Sequence, residues 1–223
     1  MNGILALVGG EEFTAGCSFD EALLVGVKEV LLIPAALAYE NPGESIARAE
    51  QYFASFGVGV QVLDCYRRAE ALEVLPSELA AAAQVIYLMG GSPMHLRSVL
   101  KDTPLLESII GAWQAGATIV AAGEAASVLC SHMVDSRGGA FTIGLDLIQT
   151  MTVIPRYNQW SSEKWHRTVE LAKSGLEVVG IDEATALIRS PDGTWTVEGA
   201  GEIHVFRDGV RTDISALSPD LDQ

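Results

Sequence analysis

Five short apolar runs, three of them closed by glycine, constrain this chain more than any other feature. Ile4–Val8 stops at Gly9-Gly10, Val85–Met89 at Gly90-Gly91, and Thr118–Ala122 at Gly123. Val30–Pro34 and Val58–Leu63 complete the set. Helical spacing fills the intervals: Phe19–Val27, Ser45–Phe56, Ala69–Leu75, Glu78–Ala83, Leu96–Leu100 and Leu105–Ala115. Ile46, Ala49, Tyr52 and Phe53 share one face of the second of these. Apolar strands alternating with helices predict a mostly parallel sheet covered on both faces, a three-layer α/β/α sandwich. Ligands in such a sheet bind beyond the carboxyl ends of the strands.

The pattern changes after residue 122. Ala125–Met133 reads as an apolar helix and Ser161–Lys173 as a second one. Thr152–Ile154, Ala184–Ile188, Thr194–Val197 and Ile203–Arg207 read as short strands, with hairpin signals at Asp192-Gly193 and Asp208-Gly209. A β-rich C-terminal edge on one domain, residues 1–216, is therefore expected. Residues 217–223 read as a short, disordered acidic tail.

Composition excludes several classes. Of 223 residues, 49% are hydrophobic and 19% charged, enough apolar matter for a core. The formal charge of −15 argues against nucleic acid or an anionic membrane as a partner, since both need basic surface. It suits a basic substrate, or solubility alone. Cys17, Cys65 and Cys130 form neither a disulfide framework nor a zinc pattern, which points to a reducing cytoplasm. His95, His132, His166 and His204 are scattered without metal spacing, and no cofactor motif is found. The N-terminal run lacks a basic flank and reads as a strand, not a leader.

Six segments, in order, resemble the cyanophycinase and dipeptidase E family of serine peptidases. They are Val8–Glu12, Leu32–Ala36, Tyr87–Gly91 with Leu96–Leu100, Gly116–Met133, Gly144–Ile148 and Gly180–Ala186. The resemblance implies a flavodoxin-like, class I glutamine amidotransferase-like fold. It also implies peptidase chemistry from a serine at a strand-to-helix elbow and a histidine after a later strand. Gap-free matching places the elbow on Glu124; a one-residue shift places it on Ala125. The histidine position falls on Arg156, followed by Tyr157, and Pro93 follows Ser92 where the family has a recognition glutamine. Arginine stays protonated and is no general base.

The sequence therefore predicts a catalytically degenerate homologue whose former active site binds a small charged molecule or peptide. The alternative is a hydrolase with a rearranged site, using Glu124 on a water or Ser127 with His95 or His132. The ligand-pocket candidates are Gly90, Gly91, Ser92, Gly123, Glu124, Ala125, Arg156 and Tyr157. Gly90 and Gly91 resemble the family's oxyanion turn, or simply end a strand. Glu124 and Arg156 are a charge-complementary couple, a salt bridge if they meet. Asp182-Glu183 and Glu11-Glu12 read as charged turns, Asp135 as part of a polar loop, and Cys130 as a buried apolar residue. Trp160 and Trp165 line a pocket, the core or a dimer face; a homodimer is compatible with either functional reading.

Overall fold

Strand β1 (Leu5–Val8) sits inside a seven-stranded sheet, flanked by β5 (Thr118–Ala122) and β10 (Thr185–Arg189). The computed structural model describes residues 2–222. Outward from β5 come β4 (Val85–Leu88), β2 (Glu29–Ile33) and β3 (Gly59–Val62), all parallel. Beyond β10 lies β11 (Trp195–Gly199), and this pair runs antiparallel. The mostly parallel α/β/α sandwich read from the sequence is thus the observed one.

Period-two alternation explains why the apolar runs are continuous. Leu5, Leu7, Ile86, Leu88, Ile119 and Ala121 enter the core on one face of the sheet. Their neighbours Ala6, Val8, Val85, Tyr87, Val120 and Ala122 enter the core on the other. Helices 93–100 and 104–114 cover the first face, and helix 42–54 covers the second through Ala49 and Phe53.

The last third does more than extend an edge. β8 (Met151–Pro155), β9 (Glu177–Ile181), β12 (Ile203–Arg207) and β13 (Val210–Thr212) form a separate four-stranded sheet. β9 was not anticipated, although its run Val178-Val179 is apolar. Both Asp-Gly hairpins are present, joining β10 to β11 and β12 to β13.

Two expectations are corrected. The helix expected over Ala125–Met133 spans only Glu124–Val128. β6 (His132–Val134) then pairs with β7 (Phe141–Ile143), because Ser127, Cys130 and Ser131 donate or accept bonds that draw the chain into extended form. The tail is anchored to the core as far as Leu221 rather than disordered. Leu217 and Leu221 are buried in the main core, and the Trp195 indole donates to the Ser218 carbonyl at 2.8 Å. Arg189 Nε donates to the Pro219 carbonyl at 2.9 Å. Gln223 lies outside the described residues.

Candidate functional site

The site is built where three parallel strands end. The loops after β1, β4 and β5 bring Gly10, Gly90 and Gly123 together. A Cβ on Gly123 would lie 3.5 Å from the Gly90 Cα and 3.9 Å from the Gly10 Cα. Gly123 has φ 54° and ψ −129°, left-handed space that glycine enters without penalty. It turns the chain from β5 directly into the short helix 124–128, with its amide bonded to the Val8 carbonyl at 2.9 Å. A strained strand-to-helix turn at the carboxyl edge of a parallel sheet is how α/β hydrolases present a nucleophile. The residue at that turn is Gly123. Glu124, the residue that the resemblance matches to the elbow, follows it as the first residue of the helix.

Arg156 follows β8 in left-handed conformation, φ 50° and ψ 42°. Its amide donates to the Gly9 carbonyl at 2.7 Å, and its side chain lies across Gly10. A Cβ on Gly10 would meet Arg156 Nε at 2.7 Å, so only glycine leaves room for the guanidinium stem. Arg156 Nε is buried and has no hydrogen-bond partner among the described residues. No salt bridge joins Arg156 to Glu124 among the described residues.

Glu12 was expected in a solvated turn, and only Glu11 is exposed. Glu11 and Phe13 both have positive φ, and Phe13 is anchored among Tyr52, Phe53 and Tyr87. That anchoring turns Glu12 inward, where it is 7% exposed and its Oε1 accepts the Gly90 amide at 3.3 Å.

These groups enclose a cavity of about 250 Å³ lined by Glu11, Glu12, Glu40, Arg48, Glu124 and Arg156, with Gly90 and Gly91 as backbone floor. A smaller cavity of about 100 Å³ shares Glu124 and Arg156 and adds Ser127, Trp160 and Lys164. The Lys164 ammonium lies 3.5 Å from the Trp160 ring centroid. Burial lowers its pKa, opposed by Asp135 and Glu124.

Four predicted pocket residues, Gly90, Gly91, Glu124 and Arg156, line the larger cavity, and Gly123 forms the turn beside it. Three do not line it. Ala125 is fully buried in the core. Tyr157 turns away onto Gly180 and stacks on His204 at 4.3 Å, and the same burial pushes its hydroxyl up to about 12. Ser92 precedes helix 93–100, and its amide is tied to the Ala36 carbonyl. Glu12, Glu40 and Arg48 were missed. Arg48 lies on the exposed face of helix 42–54, which carries no motif, and the inward turn of Glu12 depends on backbone angles the residue types do not announce.

Of the alternative catalytic groups, Ser127 and His95 are engaged elsewhere. Ser127 is buried, and its hydroxyl accepts the Val134 amide at 3.1 Å. His95 Nε2 bonds the Tyr66 carbonyl at 2.7 Å. His132 lies on β6 rather than the elbow helix. His166 faces Glu170, and His204 faces Asp182 at 3.4 Å. Among the described residues no histidine is hydrogen-bonded to a hydroxyl or thiol. Asp135 pairs with Arg137, which holds its carboxyl down to about 2. Glu183 accepts from the Gln159 amide at 2.7 Å and fastens the segment after Arg156. Cys130 is fully buried, which pushes its thiol up to about 12. Trp160 lines the smaller cavity, whereas Trp165 stacks on Phe206.

Fold and turn together define an α/β/α protein with a hydrolase-type elbow. Residues 6–196 match the model of peptidase family S51, and the chain belongs to that family. It is 26% identical over 156 residues to the cyanophycinases of Nostoc sp. and Trichormus variabilis, 66% of this chain and 52% of each of theirs. The chain thus spans about half the length of the curated relatives it matches. The crystal structure of a peptidase from an acI-B1 Actinobacterium superposes with a TM-score of 0.84 at 28% identity, covering 95% of this chain and 93% of that one. A candidate peptidase E protein of Listeria monocytogenes shares the fold, with a TM-score of 0.70 at 18% identity over 90% of this chain and 100% of its own. No helix among the described residues is long and apolar enough to cross a membrane.

Proposed function

We propose that this chain is a catalytically degenerate member of the S51 peptidases that binds a small charged molecule or peptide in the former active-site pocket. The observation that carries this reading is Gly123 at the strained turn, where a nucleophile would stand and no side chain exists. The later position expected to hold the base is Arg156, which keeps its proton. Without nucleophile and base, only residual catalysis from binding and backbone donors remains. The charged lining of the pocket, with Glu12, Glu124 and Arg156 around it, supports a binding role. Three free, buried cysteines suit the reducing cytoplasm in which we place the protein.

A second reading is favoured by one observation, the approach of Glu12 and Glu124 to the same floor glycine. It makes the protein an amide hydrolase in which Glu124 activates water. A hydrolysis assay with α-aspartyl dipeptides and β-aspartyl-arginine separates the two. The first reading expects no turnover above background and no labelling by a covalent serine-hydrolase probe. Turnover abolished by Glu124→Ala would establish the second, and stoichiometric labelling of Ser127 would defeat both.

A further inference from the structure

The sheet carries another cavity at the end opposite the candidate site. β1 leads into that site after Val8, whereas Arg189, the last residue of β10, lies beside Leu5, the first residue of β1. Close by, the Gly3 amide donates to the carbonyl of Trp113, near the end of helix 104–114. Trp113, Leu147, Arg189, Asp220, Leu221 and Asp222 line a cavity of about 320 Å³ here, a size that suits a small organic ligand. The segment that walls it is tied down: the Gln149 amide donates to the Leu221 carbonyl at 2.6 Å, and the Thr150 hydroxyl to the Asp220 carbonyl at 3.3 Å.

Arg189 is 7% exposed and Trp113 3%. The Arg189 guanidinium spends one edge, Nε and Nη2, on the Pro219 carbonyl. Its Nη1 is buried and meets no acceptor among the described residues, and the Trp113 indole N–H is in the same state. No salt bridge reaches Arg189 among the described residues, although Asp220 and Asp222 line the same cavity. Buried guanidinium groups are ordinarily paired, and a buried donor without an acceptor costs the full desolvation of that group. Two such donors, from β10 and from helix 104–114, border one cavity.

From this arrangement we infer that the cavity is a second binding site and that it takes an α-amino acid with an apolar side chain. The ligand's carboxylate accepts from Arg189 Nη1 and the Trp113 indole, donors that favour a planar anion. A plain anion fits poorly, because Asp220 and Asp222 line the same space in a chain of net charge −15. An ammonium group on the ligand turns that repulsion into attraction. Leu147, Leu221 and the Trp113 ring supply apolar wall for the side chain. This site stands whether or not the strand-end pocket binds a ligand.

Calorimetric titration with a matched series tests the assignment: L-leucine, 4-methylpentanoate, which lacks the ammonium, and 3-methylbutylamine, which lacks the carboxylate. L-Leucine should bind saturably, 4-methylpentanoate at least about tenfold more weakly, and the amine not at all. Trp113→Phe keeps a ring and removes the N–H, and should weaken L-leucine at least about tenfold, the loss of one hydrogen bond to a charged acceptor. Arg189→Gln should abolish binding; it also releases Pro219, so where it fails to fold Trp113→Phe decides. Asp220→Asn combined with Asp222→Asn should bring L-leucine down to the level of 4-methylpentanoate. Equal affinity of the wild-type protein for these two probes would overturn the zwitterion assignment. L-Leucine affinity unchanged in Trp113→Phe, or lost in Arg156→Gln, would put the ligand elsewhere and overturn the site. No binding of L-leucine would overturn it too, and would leave the reading of the strand-end pocket untouched.

Discussion

The Glu12 carboxylate accepts the Gly90 amide across 78 residues of sequence, and this 3.3 Å bond fixes the floor of the pocket. It joins the loop after β1 to the loop after β4, two strands separated in the sheet by β5. Gly123, at the end of β5, lies between them.

That crowding makes Gly123 informative. A Cβ there would find ordinary contacts at 3.5 Å, but its φ of 54° suits few side chains. Gly123→Ser is expected to fold with a loss of about 1–3 kcal/mol, read by urea denaturation. It should gain no peptidase activity, because Arg156 offers no base. Turnover by the single variant would show that another group can deprotonate a serine at this turn.

Glycines elsewhere should respond in opposite directions. Gly9 packs so closely that a Cβ would lie 2.1 Å from the Asp182 backbone oxygen. Gly9→Ala is expected to cost about 3 kcal/mol or more, or to prevent folding. Gly111 sits within helix 104–114 with nothing within 4 Å of a Cβ. Gly111→Ala should stabilise by about 0.4–1 kcal/mol. Denaturation midpoints of the two proteins check both signs.

Asp20 should make stability depend on pH. It is 1% exposed, and burial raises its pKa from 3.8 to about 7; the Tyr52 hydroxyl, donating at 3.1 Å, opposes the shift and Glu12 adds to it. The folded state therefore holds this proton more tightly than the unfolded chain. The Asp20 contribution to stability is full below about pH 4 and is lost as the pH rises through about 7, at about 1.4 kcal/mol per unit between. Asp20→Asn keeps an acceptor for Tyr52 and should remove that slope. The difference between wild-type and variant stability, measured from pH 4 to 7, isolates it; parallel curves would show that Asp20 is not the group responsible.

The C-terminal segment should be structural. Leu221 is 7% exposed and packs in the main core. Leu221→Ala is expected to cost about 2–3 kcal/mol, and ending the chain at residue 216 should cost more by also orphaning the Trp195 indole. A truncated protein as stable as the full chain would contradict this.

Much of the fold was legible because its signals are local. The five apolar runs that became β1 to β5 needed only alternation and length, and the two Asp-Gly hairpins needed only their turn residues. β9 was missed although Ser174-Gly175 marks a turn before it, because Glu177 and Gly180 interrupt its apolar run. The helix after the elbow was overdrawn: Cys130 and Met133 are as apolar as helix residues, but a parallel bridge to Ile148 and the β7 pairing take that segment.

The sequence by itself determined the sandwich and the glycine-ended strands, because run length and turn residues are local signals; the grouping of Gly90, Gly91, Glu124 and Arg156 came from the resemblance of their motifs. Only the tertiary structure decided that Gly123 makes the turn out of β5, that Tyr157 turns away, and that Glu12 enters the pocket. Each of these depends on one or two backbone angles, such as the positive φ at Gly123, Arg156 and Glu11, which are selected by packing against distant segments. A local pattern carries no information about those contacts.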